Sequence, residues 1–146
     1  MSIVVDDQIP ENYHFQEATL QNFKVQHFRR SLQVSLFNTF EGSFETVNTE
    51  ERISDRGWTL VLYRVRPFYE LVPGSEGNRR RVLIRYEAGL FLNGKRKVVI
   101  DEQALSEDIV FYNVDEVFQD AIRQMCKQIY ISTVKEYSNQ ITVKIQ

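Results

Sequence analysis

Catalysis needs nucleophiles, acid–base groups or metal ligands at workable spacing, and this chain offers few. Its two histidines, His14 and His27, stand thirteen residues apart, with no Asp, Glu or His at metal-site spacing beside them. The single cysteine, Cys126, follows Met125 within a helical pattern and has no histidine nearby in sequence, so it reads as a semi-buried packing thiol. One cysteine makes neither an intrachain disulfide nor a Cys-based zinc site. There is no GxSxG elbow, and PGSEGNRRR lacks the Gly-Lys-Ser/Thr ending of a phosphate loop. Glu50, Glu51, Asp101 and Glu102 read as solvated loop and strand-end residues. The sequence therefore assigns no catalytic residue, no metal and no cofactor, and a non-enzyme is expected.

One set of side chains is concentrated. Arg79, Arg80, Arg81, Arg85, Lys95, Arg96 and Lys97 lie within nineteen residues, and Arg64 and Arg66 precede them. Such cations can guard a sheet edge against pairing with other chains. Alternatively they form an anion-facing surface for phosphate head groups, nucleic acid or an acidic protein. On that reading the binding candidates are Arg64, Arg81, Arg85, Lys95, Arg96 and Lys97. A formal net charge of -2 argues against a general nucleic-acid binder.

Positioning these groups requires a fold, and 146 residues fit one domain spanning 1–146, with 1–17 its irregular N-terminal segment. A chain of this size buries about two-thirds of its unfolded surface and needs no disulfide or metal to fold. Ten Phe and seven Tyr suggest a sheet covered by helices. No run approaches the ~18 apolar residues of a membrane span. The start, MSIVVDDQIP, lacks a basic n-region and a long apolar core, unlike a signal peptide.

Pro10 interrupts any strand begun by Ile3-Val4-Val5. Leu20, Phe23 and Val25 mark a short strand. Phe28, Leu32, Leu36 and Phe40 then recur every fourth residue, the core stripe of an amphipathic helix that Gly42 would cap in a left-handed conformation. Trp58 to Val65 is a strand by its aromatic and β-branched content, and Pro67 puts its far end at an edge or bulge. PGSEGN is a loop. In the next strand Val82, Ile84, Tyr86, Ala88, Leu90 and Leu92 share one face, and Arg81, Arg85 and Glu87 the other.

For the following hairpin two registers compete. An Asn93-Gly94 two-residue turn sets Leu92 opposite Lys95 and puts Val98 and Ile100 on the polar face. A turn with Gly94 as a left-handed bulge sets Phe91 opposite Lys95, Ala88 opposite Val98 and Tyr86 opposite Ile100. The second is preferred, because a one-residue slip misplaces large apolar side chains at about 1.5–3 kcal/mol each. The strand runs on toward Leu105. Asn113 and Glu116 then form a capping box for a helix of about six turns marked by Val117, Phe118, Ala121, Ile122, Met125, Ile129, Val134 and Tyr137, and ITVKI closes the chain as a short strand.

The expected class is α+β, a single antiparallel sheet with a meander of at least three strands and two helices packed on one face. Its other face, carrying the cations, stays open. A double-stranded-RNA-binding domain shares the helix–strands–helix order but needs a basic start to its second helix, and here that start is Val114-Asp115-Glu116.

FRRSLQVSLFNTF, TLVLYRVRPFYEL, RRVLIRYEAGLFLNGKRKVVID and DEVFQDAIRQMCKQIYIST, taken in order, resemble small bacterial envelope lipoproteins. The resemblance is to the lipopolysaccharide-assembly lipoproteins and the ABC-transport auxiliary lipoproteins, and covers residues 20–137. It is a resemblance of pattern without a diagnostic motif, so no site residue is carried over. It implies a non-enzymatic assembly or transport subunit that binds a protein partner in an envelope complex or a lipid head group. Periplasmic or outer-membrane association follows if a leader precedes Met1, and a cytoplasmic location otherwise. The competing class is a cytosolic interaction protein, such as a small acidic secretion chaperone that works as a homodimer.

Overall fold

The computed structural model of the chain describes residues 1–14, 24–71, 80–106 and 114–145. In chain order its elements are β1 (Ser2–Val5), β2 (Tyr13–His14), β3 (Lys24–Val25), α1 (Phe28–Phe40), β4 (Asn48–Thr49), β5 (Trp58–Leu71), β6 (Arg80–Leu92), β7 (Lys95–Leu105) and α2 (Val114–Ile145). Leu20, Phe23, the PGSEGN loop, Arg79 and the Asn113 cap lie outside the described residues, as does the side chain of Arg80.

Five strands form one sheet in the order β4-β1-β5-β6-β7, and β2 pairs with β3 in a separate ribbon. β5, β6 and β7 are antiparallel neighbours. β1, however, runs parallel to both β5 and β4. The sheet is therefore mixed, which corrects the expected single antiparallel meander. The reason is local. Ile3 and Val5 face the helices while Val4 is buried on the opposite face, so β1 reads as a continuous apolar run without alternation. Pro10 comes after the strand has ended. A parallel pair needs a long crossover, and α1 lies within the one that joins β1 to β5.

α1 buries Phe28, Leu32, Leu36 and Phe40 completely, as the four-residue spacing requires. Together with Val117, Phe118, Ala121, Ile122, Met125 and Ile129 of α2 they form one core against the sheet. Within that core Tyr86 donates a 2.7 Å hydrogen bond to Gln128 Oε1. His27 opens α1 in a left-handed conformation (φ 52°). Gly42 does not cap it, because Glu41 keeps a right-handed φ and its N–H reaches the Phe37 carbonyl at 2.9 Å. α2 runs 32 residues and absorbs the segment expected as a final strand. Nothing between Tyr137 and Ile141 stops a helix, and a 2.9 Å bond from Gln140 to Glu136 supports this turn. No helix among the described residues is long and apolar enough to cross a membrane.

Two bulges sort the sheet's faces. On β5, Trp58, Leu60 and Leu62 align with Leu92, Leu90 and Ala88, and the register then shifts past Tyr63. Strict alternation would next turn Arg64 and Arg66 toward the helices. The extra residue instead puts Val65 inside and leaves both arginines outside. On β7, Leu92 pairs with Lys95 and Phe91 with Arg96, then Lys97 is skipped so that Leu90 meets Val98 and Ala88 meets Ile100.

The tight turn therefore forms, with Asn93 and Gly94 at φ 52° and 79°. It is anchored by Gly57, whose N–H donates to Asn93 Oδ1 at 2.8 Å and whose carbonyl accepts from Asn93 N–H at 2.9 Å. The bulge expected at Gly94 sits at Lys97 instead. Ile100 still reaches the core and Val98 packs against it. Pro67 lies on β5 beyond the last residue paired with β1, where that edge is free, and its carbonyl accepts from the Tyr13 hydroxyl at 2.9 Å.

If β1 is integral, Ile3→Ala destabilises the protein by about 2–5 kcal/mol. Val34→Ala, at a half-exposed position of α1, shifts stability by less than about 0.5 kcal/mol. Urea unfolding of the two variants compares them directly.

Candidate functional site

The face of the sheet turned away from the helices is built from Thr59, Val61, Arg64, Arg66, Phe68 and Glu70 of β5, alternate residues Arg81 to Phe91 of β6, and Arg96, Val99, Asp101, Gln103 and Leu105 of β7. Its rows differ in chemistry. Near the β6–β7 turn, Val4, Val61 and Phe91 form a small buried cluster with Tyr63 packed on it. The Tyr63 ring lies across Gly89, where a Cβ would stand 3.0 Å from Tyr63 Cε2, so the glycine makes room for the ring. Burial raises the Tyr63 pKa; Arg96 opposes this, and Glu87 and Asp6 add to it.

Farther along, Arg66 stands directly opposite Arg85, and Arg64 opposite Glu87. Like charges directly opposite on a sheet cost a few tenths of a kcal/mol. Among the described residues neither Arg66 nor Arg85 has a carboxylate partner. The Arg85 guanidinium instead lies 5.4 Å from the Phe68 ring centroid, within cation–π range. The next row sets Phe68, Leu83 and Leu105 side by side, with Phe68 39% and Leu105 36% exposed. Beyond it Arg81 Nε meets Glu70 Oε1 at 2.6 Å.

The six predicted cations therefore divide. Arg64 and Arg85 come together, with Arg66, on an exposed part of the outer face. Arg81 is on the same face but is held by Glu70. Lys95, Arg96 and Lys97 sit by the turn; Arg96 pairs with Phe91, six residues and about 20 Å along β6 from Arg85. Lys95 opposes Leu92, on the helix side of the strand, which corrects the expected register that set it opposite Phe91 on the outer face. Phe68 and Leu105 were not among the sequence candidates. Phe68 lies past Pro67, where the strand signal weakens, and only the cross-strand register aligns it with Leu105.

The helix side carries a groove of about 500 Å³ lined by Ser35, Thr39, Arg123, Lys127 and Tyr130, with Cys126 beneath it. The Ser43 and Tyr130 hydroxyls lie 2.7 Å apart at its end. Burial pushes the Cys126 thiol up to about 11, while a hydrogen bond with Thr39 pulls the other way. His14 is exposed on β2 and His27 opens α1. No group of three His, Cys, Asp or Glu suited to a metal occurs among the described residues.

No protein-family model matches this sequence, and no curated protein matches it. Among solved structures, the chain is similar to a minor lipoprotein from Acinetobacter baumannii, at 12% identity and a TM-score of 0.48, over 88% of this chain and 87% of that one. It is also similar to the rare lipoprotein B from Shewanella oneidensis, at 9% identity and a TM-score of 0.45, over the full length of both. At these identities and TM-scores neither likeness assigns a function or a site residue to this chain.

Cys126 provides a solution test of this packing. Its thiol, 3% exposed, should react with a thiol reagent at pH 8 roughly a hundredfold or more slowly than the unfolded chain does. Because its folded pKa is raised from the ordinary value near 9, the associated stability is present below pH 9 and is lost as pH rises through about 11. Tyr86, its phenol raised mainly by burial, acts in the same direction at higher pH. Denaturant unfolding at pH 8 and 10.5 should show lower stability at the higher pH.

Proposed function

We propose that this chain is a non-enzymatic recognition subunit of a bacterial cell-envelope complex, and that it binds through the outer face of its sheet. The observation that carries the reading is the Arg66–Arg85 pair. Two arginines stand opposite each other on neighbouring strands, exposed and without a carboxylate partner among the described residues. Folding gains nothing from that juxtaposition, whereas an anionic partner would be held by both groups at once. Arg64 adds a third cation on the same face, and exposed Phe68 and Leu105 supply apolar contact beside it. The envelope setting rests on the ordered pattern of the two helical segments and the meander strands. The partner is a protein of the complex or a lipid head group, with anionic groups flanked by apolar surface as their shared chemistry.

Photo-crosslinking amino acids at Arg66, Gln103 and Leu105, compared with Val34 and Asn38 on α1, test the surface in intact cells. The sheet positions should give crosslinks to a membrane-fraction protein or lipid, and these should disappear in an Arg64→Glu/Arg85→Glu background that still folds. Crosslinks confined to the α1 positions, or unaffected by the charge reversals, would refute the proposal.

A further inference from the structure

Independently of that reading, the edge of the sheet points to a partner of its own. β7 is the last strand in the order, eleven residues long, whereas the opposite edge, β4, has two. The Ser106 N–H donates to the Val82 carbonyl at 3.0 Å. From Val98 onward the ladder is unshifted, so even-numbered residues turn their backbone groups toward β6, and Val99, Asp101 and Gln103 turn theirs outward. Val99 is 48% exposed.

The charges along this edge are ordered. Lys95, Arg96 and Lys97 open the strand, and Asp101 and Glu102 lie in its second half, all exposed. None forms an ion pair among the described residues. An edge protected by charge alone would best carry one sign and repel every copy of itself. Here the sign reverses about a central Val98-Val99-Ile100.

We infer that β7 pairs antiparallel with β7 of a second copy of the chain, about a two-fold axis at Val99. Val99 then meets Val99, and their outward N–H and C=O groups bond reciprocally. Val98 lies opposite Ile100 of the second copy on the helix side, extending the apolar layer across the junction. Lys97, the bulge residue with no opposite number on β6, faces Asp101 of the second copy on the outer side of the sheet. The two-fold repeats this ion pair. Parallel pairing in register would set like charge against like, so the pattern selects the antiparallel dimer.

Sedimentation equilibrium of the full chain tests this. The mass should rise from one chain to two, with a Kd on the order of micromolar for so narrow an interface. Lys97→Glu and Asp101→Lys should each weaken the dimer at least tenfold, and the double variant Lys97→Glu/Asp101→Lys should regain it. Val99→Pro should give a monomer that melts cooperatively, because the N–H it removes points away from β6. A wild-type chain monomeric up to about 100 µM, a dimer indifferent to the single reversals, or a double variant that stays monomeric would overturn the inference.

Discussion

The register of β6 against its two neighbours is the constraint on which everything else rests. Its even-numbered residues Val82 to Leu90 are almost wholly buried, while Arg85 between them is exposed. A slip by one residue would drive Arg85 under the helices and turn Tyr86 and Ile84 into water. Burying an unpaired guanidinium costs several kcal/mol, and each exposed large side chain adds about 2 more. The bulges at Tyr63 and Lys97 keep the flanking strands consistent with that choice. Without the first, Arg64 and Arg66 would point into the core, and without the second Val98 and Ile100 would point out of it.

Features set by local pattern were legible from the residues. The Phe28-Leu32-Leu36-Phe40 stripe, the two faces of β6 and the position of Pro67 at a free edge all follow from period and backbone chemistry. The failures have physical causes too. β1 is buried on both faces, and so loses the alternation by which a half-buried strand is known. Helix α2 continues through Ile141–Ile145 because alternation over so short a run does not interrupt an unbroken helix. The hairpin was harder, because Asn93 is fixed by Gly57, thirty-six residues away, and no local count includes that bond.

The candidate surface was legible by type more than by arrangement. Cations were expected on the open face, and Arg64, Arg81, Arg85 and Arg96 are there. Their states are decided by cross-strand neighbours: Glu70 neutralises Arg81, Arg66 confronts Arg85, and Arg96 sits near Tyr63. The apolar row of Phe68, Leu83 and Leu105 draws on three strands. The same sheet presents a basic and apolar face, and at its edge a strand whose charges reverse sign. The helix side buries its thiol beneath a polar groove.

Cross-strand Hα–Hα contacts in solution NMR test the central register most directly. In the register described, Glu87–Asp101 and Arg85–Gln103 are non-hydrogen-bonded pairs with close α-carbons, and each should give a strong cross-peak. Strong peaks from Tyr86 to Asp101, or from Arg85 to Glu102, would mean that β7 is slipped by one residue and that the sorting of side chains between the two faces is wrong.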